Sequence, residues 1–75
     1  TLFRRLKTRP PETIAGIPVA AINALDGGKL IGRDESWLLF RRSGTEPIVR
    51  IYGETPRPRA LPRLLQVGVR LATMR

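Results

Sequence analysis

The sequence of 75 residues contains neither cysteine nor histidine, and these two absences remove much of the usual chemistry at once. Without thiols there is no disulfide framework and no thiolate metal site. Without imidazole, Ser36 and Ser43 lack the ordinary base that would make either a nucleophile. Acids are also scarce, six against fourteen basic residues. Two of them, Asp26 and Asp34, stand apart from each other and do not make a metal site. No apolar run approaches the roughly 20 residues needed to cross a bilayer, and the Thr1-Leu2-Phe3-Arg4-Arg5 start lacks a signal-peptide apolar centre. A soluble, cytoplasmic protein is the expectation, with no membrane partner.

A chain of this length forms one small domain and buries only roughly 60 to 65% of its extended-chain surface, so its core is thin. The 41% hydrophobic content is enough for it to fold. The net charge of +8 is unevenly placed: residues 1 to 9 carry +4 and residues 10 to 40 carry −2. Residues 41 to 54 carry +1, and residues 55 to 75 hold five arginines and no acid. The basicity therefore sits at the ends, where it is better read as a solvated surface than as a groove-reading stripe. Trp37, Phe40 and Tyr52 could stack on bases, but strand alternation splits them between two sheet faces.

Along the chain, Leu2, Phe3 and Leu6 fall at helical spacing and predict the last turns of a helix over Thr1 to Lys7. Thr8-Arg9-Pro10-Pro11-Glu12 stops it, so residues 1 to 9 read as the end of a connecting helix and linker, and 10 to 75 as the domain. Ile14 to Leu25 reads as an edge strand entered at Pro18, ended by the turn signal Asp26-Gly27-Gly28-Lys29. Leu30-Ile31 makes a short return strand before a turn at Arg33 to Ser36. Trp37 to Arg41 and Ile48 to Glu54 are firm strands, with Leu38, Phe40, Val49 and Ile51 on one face. Thr55-Pro56-Arg57-Pro58 breaks the second, and Arg59 to Arg75 follows as an amphipathic helix with Leu61, Leu64, Leu65, Gly68, Leu71 and Ala72 on one side.

Between the two firm strands lies Arg41-Arg42-Ser43-Gly44-Thr45-Glu46-Pro47-Ile48-Val49-Arg50. Ser43 and Thr45 offer hydroxyls, Gly44 permits a backbone conformation that a side chain forbids, and successive amides can converge on one point. An antiparallel pairing with Arg41 opposite Arg50 puts both guanidinium groups on one face. Like charges facing each other on a sheet repel, and a dianion between them explains why the arrangement is tolerated. Arg42 has the opposite parity, leaving its amide nearer the ligand than its side chain. Glu46 orients an arginine or caps a loop amide. Gly27-Gly28-Lys29 is not a nucleotide-binding P-loop, because Leu30 follows the lysine and the spaced earlier glycine is absent.

The pattern Arg-x-Ser-Gly-Thr-Glu-Pro-x-x-Arg from Arg41 to Arg50 resembles the phosphate-binding loop in the C-terminal domain of the α-D-phosphohexomutases, the phosphoglucomutase and phosphomannomutase superfamily. Asp26-Gly27, Ser36 to Phe40 and Arg50-Ile51-Tyr52-Gly53-Glu54 extend the likeness. The resemblance implies an α+β fold, a small antiparallel sheet of three or four strands with helices on one face, similar to the TATA-binding-protein architecture. It implies a magnesium-dependent isomerase acting on a hexose phosphate, in which this domain closes over a cleft built by three preceding domains. Arg41, Arg42, Ser43, Gly44, Thr45 and Arg50 would bind the substrate phosphate. No catalytic residue, no metal ligand and no cofactor is expected within these 75 residues, which by themselves should be inactive. A basic nucleic-acid-binding module is the alternative, and a free-standing phosphate-sensing domain a third reading.

Overall fold

The computed structural model describes residues 2–24 and 27–74. Helix α1 (Leu2–Thr8) opens the chain, followed by strands β1 (Thr13–Ile14), β2 (Ile17–Asn23), β3 (Gly28–Gly32), β4 (Trp37–Arg42) and β5 (Val49–Glu54). A 3₁₀ turn (Pro58–Ala60) then leads into helix α2 (Leu61–Thr73). The strands form one antiparallel sheet in chain order, β1-β2-β3-β4-β5, each paired with the strand that precedes it. Such an arrangement needs only hairpin connections, which suits a chain with little length to spend on crossovers. No helix among the described residues is long and apolar enough to cross a membrane.

The sheet thus has five strands rather than three or four. The extra strand arises because the segment read as one strand from Ile14 divides at Ala15-Gly16, whose φ values of +51° and +81° turn the chain back between the paired residues Ile14 and Ile17. Two consecutive residues with positive φ are the signature of a type I′ hairpin turn. A second departure is the one-residue register shift between Val19 and Ala21 against β3, which exchanges the faces of the residues beyond it. β3 itself runs from Gly28 to Gly32, longer than Leu30-Ile31 alone. Leu25 and Asp26, the expected strand end and turn-former, lie outside the described residues, as does Arg75 at the expected helix end.

Both helices cover the same sheet face. Leu30, Leu38 and Phe40 point into it, fully buried with Ile14 and Leu64, and Leu2 and Leu6 of α1 complete the core. Each such side chain contributes roughly 1.5 to 3 kcal/mol by leaving water. The helices lie close because the contact points lack side chains: a Cβ at Gly28 would meet Leu6 Cδ1 at 2.5 Å, and one at Gly68 would meet Ile51 Cγ2 at 2.9 Å. Glycine inside a helix costs roughly 0.5 to 1 kcal/mol relative to alanine, so Gly68 trades local propensity for approach to the sheet. The guanidinium of Arg5 joins the helices by donating to the carbonyls of Leu71 (3.2 Å) and Met74 (2.8 Å) in the last turn of α2. The opposite sheet face carries Lys29, Ile31, Trp37, Leu39, Arg41, Arg50, Tyr52 and Glu54, with no helix over it.

Candidate functional site

The β4–β5 register pairs Trp37 with Glu54, Leu38 with Gly53, Leu39 with Tyr52, Phe40 with Ile51, Arg41 with Arg50 and Arg42 with Val49. This is the pairing that alternation predicts. Phe40 and Ile51 are drawn under the helices, and their burial fixes the phase of both strands. Arg41 and Arg50 then have no choice but to stand side by side on the uncovered face, with Cβ atoms about 4.5 to 5.5 Å apart. Both side chains are exposed, and neither has a hydrogen-bond or ion-pair partner among the described residues.

The connecting loop is closed at its base by the Ser43 amide donating to the Ile48 carbonyl at 3.0 Å. Inside it the Thr45 amide donates to Ser43 Oγ at 3.5 Å, a distance at which the bond is weak and easily exchanged for a better acceptor. Arg41, Arg42, Ser43, Gly44, Thr45, Arg50 and Tyr52 line one shallow cavity of about 330 Å³. All six residues singled out from the motif therefore meet there, joined by Tyr52. Tyr52 shares its parity with Arg50 on β5, and that spacing is the signal that identifies it.

Three details differ from expectation. Gly44 does not have positive φ, and a Cβ there would meet nothing within 4 Å, so the open six-residue loop does not need glycine for its shape. What Gly44 supplies is unobstructed access to the backbone. Arg42 is not merely solvated: its guanidinium lies 4.6 Å from the ring centroid of Phe3 in α1, a cation–π contact that ties the loop to the helix layer. Glu46 is exposed and makes no hydrogen bond or ion pair with Arg41 or Arg50.

Arg41 is common to two further cavities. One, of about 400 Å³, is lined by Phe3, Lys7, Ala24, Gly27, Arg41 and Arg42, and the other, of about 320 Å³, by Asn23, Lys29, Leu39 and Arg41. Among the described residues, no acid lines any of the three. Among the described residues there is no group of three or more histidines, cysteines or carboxylates that could hold a metal ion.

Asp34 belongs to a separate network at the β3–β4 turn. Its carboxyl is held below its ordinary value chiefly by the Ser36 amide, which donates to Oδ1 at 2.9 Å, and also by Arg57, whose guanidinium reaches Oδ2 at 2.7 Å. The buried Ser36 hydroxyl donates to Thr55 Oγ1 at 2.8 Å. Together these bonds hold the exit of β5 against the turn before β4, at the end of the hairpin opposite the loop.

Comparison with known proteins adds a second line. The chain is 42% identical over 50 residues to a phosphoglucomutase/phosphomannomutase of Thermococcus kodakarensis, a match spanning 67% of this chain and 11% of that protein. Any continuous 50 residues of a 75-residue chain include positions 26 to 50, so the match takes in the loop. Over this stretch the chain is related to the phosphohexomutases. A phosphoglucosamine/phosphogalactosamine mutase of Sulfurisphaera tokodaii is 60% identical over 30 residues, covering 40% of this chain and 6% of the relative. A phosphoglucosamine mutase of Methanococcus aeolicus is 36% identical over 52 residues, 69% of this chain and 11% of the relative. The matched stretches cover only 6 to 11% of the length of these relatives. No family model matches it.

Proposed function

We propose that the chain is the C-terminal, substrate-phosphate-binding domain of a phosphohexomutase, an isomerase that moves a phosphoryl group between the two ends of a hexose phosphate. The observation that supports this reading is the pairing of Arg41 with Arg50 on one open face, both without a partner among the described residues, in a cavity shared with Ser43, Gly44 and Thr45 of the loop. Guanidinium forks match phosphate oxygens two at a time, at roughly 1.5 to 3 kcal/mol for each charge-assisted hydrogen bond. Arg41 and Arg50 would grip the dianion from two strands, while Ser43, Gly44 and Thr45 close on it from the loop and Arg42 adds charge behind.

The phosphate held here is the one that does not react. Binding energy from a remote group can be used to orient the reacting end, so a domain with no catalytic residue still raises the rate. The three preceding domains would supply the chemistry as partners of this one. The resemblance implies Mg²⁺ for the whole enzyme, but the described residues do not fit it, and no step through the metal is assigned to this chain.

Titration of the chain with a hexose phosphate, followed by NMR, tests the proposal. The expected result is about millimolar affinity, near −4 kcal/mol, with the largest shifts at residues 41 to 50. Shifts confined to other residues, or steeply salt-dependent binding to arbitrary DNA with no response to sugar phosphate, would refute it.

A further inference from the structure

The geometry points to Tyr52 as the residue that reads the organic part of the phosphate ester, a role that rests on the phosphate site just proposed. Tyr52 follows Arg50 by two positions on the same strand and face, and it sits directly across from Leu39. It lines the cavity of the loop, while Leu39 lines the neighbouring cavity with Asn23 and Lys29; Arg41 belongs to both. The two hollows therefore adjoin at Arg41 on the open face, cationic where Arg41 and Arg50 meet and bordered beyond that by Tyr52 and Leu39.

Tyr52 is 41% exposed, on the face opposite the one that buries Phe40 completely. Lys29 lies 4.5 Å over the Trp37 ring and is engaged there. An inorganic phosphate between the arginines would leave the ring untouched. A phosphate ester would lay its first carbons and ring C–H groups against it, because Tyr52 lies two residues from Arg50 on the same face and lines the same cavity. A hexose suits such a surface: one face of the pyranose presents C–H bonds to the aromatic ring, and its hydroxyls can meet the phenolic O–H.

The test compares inorganic phosphate, glycerol phosphate and glucose 6-phosphate, titrated by NMR into the wild-type chain, Tyr52→Phe and Tyr52→Thr. Threonine removes the ring while keeping a residue suited to a strand. The wild type is expected to prefer glucose 6-phosphate over inorganic phosphate by about threefold to tenfold, with glycerol phosphate between. Tyr52→Phe should keep most of that preference and Tyr52→Thr should abolish it, the preference being the ratio of the two affinities within each variant. A preference that survives in Tyr52→Thr overturns the assignment, as does a wild type that binds phosphate at residues 41 to 50 without favouring the ester. Failure of inorganic phosphate to shift those residues at all removes the phosphate site, and this role with it.

Discussion

Two arginines that face each other without a partner among the described residues should make the chain less stable than its neutralised variants until an anion arrives. A directly opposed like-charge pair on a sheet costs roughly 0.2 to 1 kcal/mol, so Arg50→Gln should raise stability by about that much in dilute chloride. With a hexose phosphate at a hundredfold excess over a dissociation constant of about 1 mM, the wild type gains about 2.7 kcal/mol. Removing one arginine deletes at least one charge-assisted bond of about 1.5 kcal/mol, which weakens binding about tenfold and leaves a gain of about 1.4 kcal/mol. The difference exceeds the relieved repulsion, so the stability order reverses between the two buffers. For a chain of this size 1 kcal/mol moves Tm by about 4 to 8 °C, well within reach of thermal unfolding monitored by circular dichroism. The double variant Arg41→Gln/Arg50→Gln supplies the general salting effect of the hexose phosphate, to be subtracted from both. The reasoning fails if Arg50→Gln is less stable than the wild type in chloride and gains as much from the hexose phosphate.

Asp34 sets an acid limit. Its folded-state carboxyl is shifted down by the Ser36 amide and by Arg57, so its stabilising contribution is complete above the unfolded value of about 3.9 and disappears as pH falls through the lower folded value. The stability difference between wild type and Asp34→Asn should therefore be constant from pH 7 to 5 and shrink below about pH 4; urea unfolding at each pH checks this. In the helix layer, Gly68→Leu places side-chain atoms where Ile51 and Leu38 already stand, and unfolding should show a loss of about 1 to 3 kcal/mol. A neutral result there would mean that α2 can move off the sheet without cost.

The central hairpin was legible because burial enforces alternation: Leu38, Phe40 and Ile51 can satisfy only one phase, and that phase places Arg41 against Arg50. The first hairpin was not, since Ala15-Gly16 lacks the Asn-Gly or Asp-Gly signal of a two-residue turn, and Ala15 takes a left-handed conformation that its own chemistry disfavours. Gly28 looked like turn punctuation, yet it is a strand residue whose missing side chain admits Leu6. The Arg42–Phe3 contact joins residues far apart in sequence and leaves no local pattern to find. The same alternation places Tyr52 beside Leu39 on the arginine face, and only its part in the cavity lies beyond the motif, which ends at Arg50.

The bridge from Arg5 to the carbonyls of Leu71 and Met74 bears on how the ends of the fold open. A helix of seven residues cannot persist in water without support, and α1 has Leu2, Leu6 and this guanidinium to hold it in place. Releasing the last turn of α2 withdraws part of that support, and detaching α1 strips the cationic cap from the carbonyl end of α2. The first and last segments are therefore one cooperative unit in fluctuation, although they stand at opposite ends of the sequence. In hydrogen exchange their protected amides should share a single opening free energy, below that of the β4–β5 ladder.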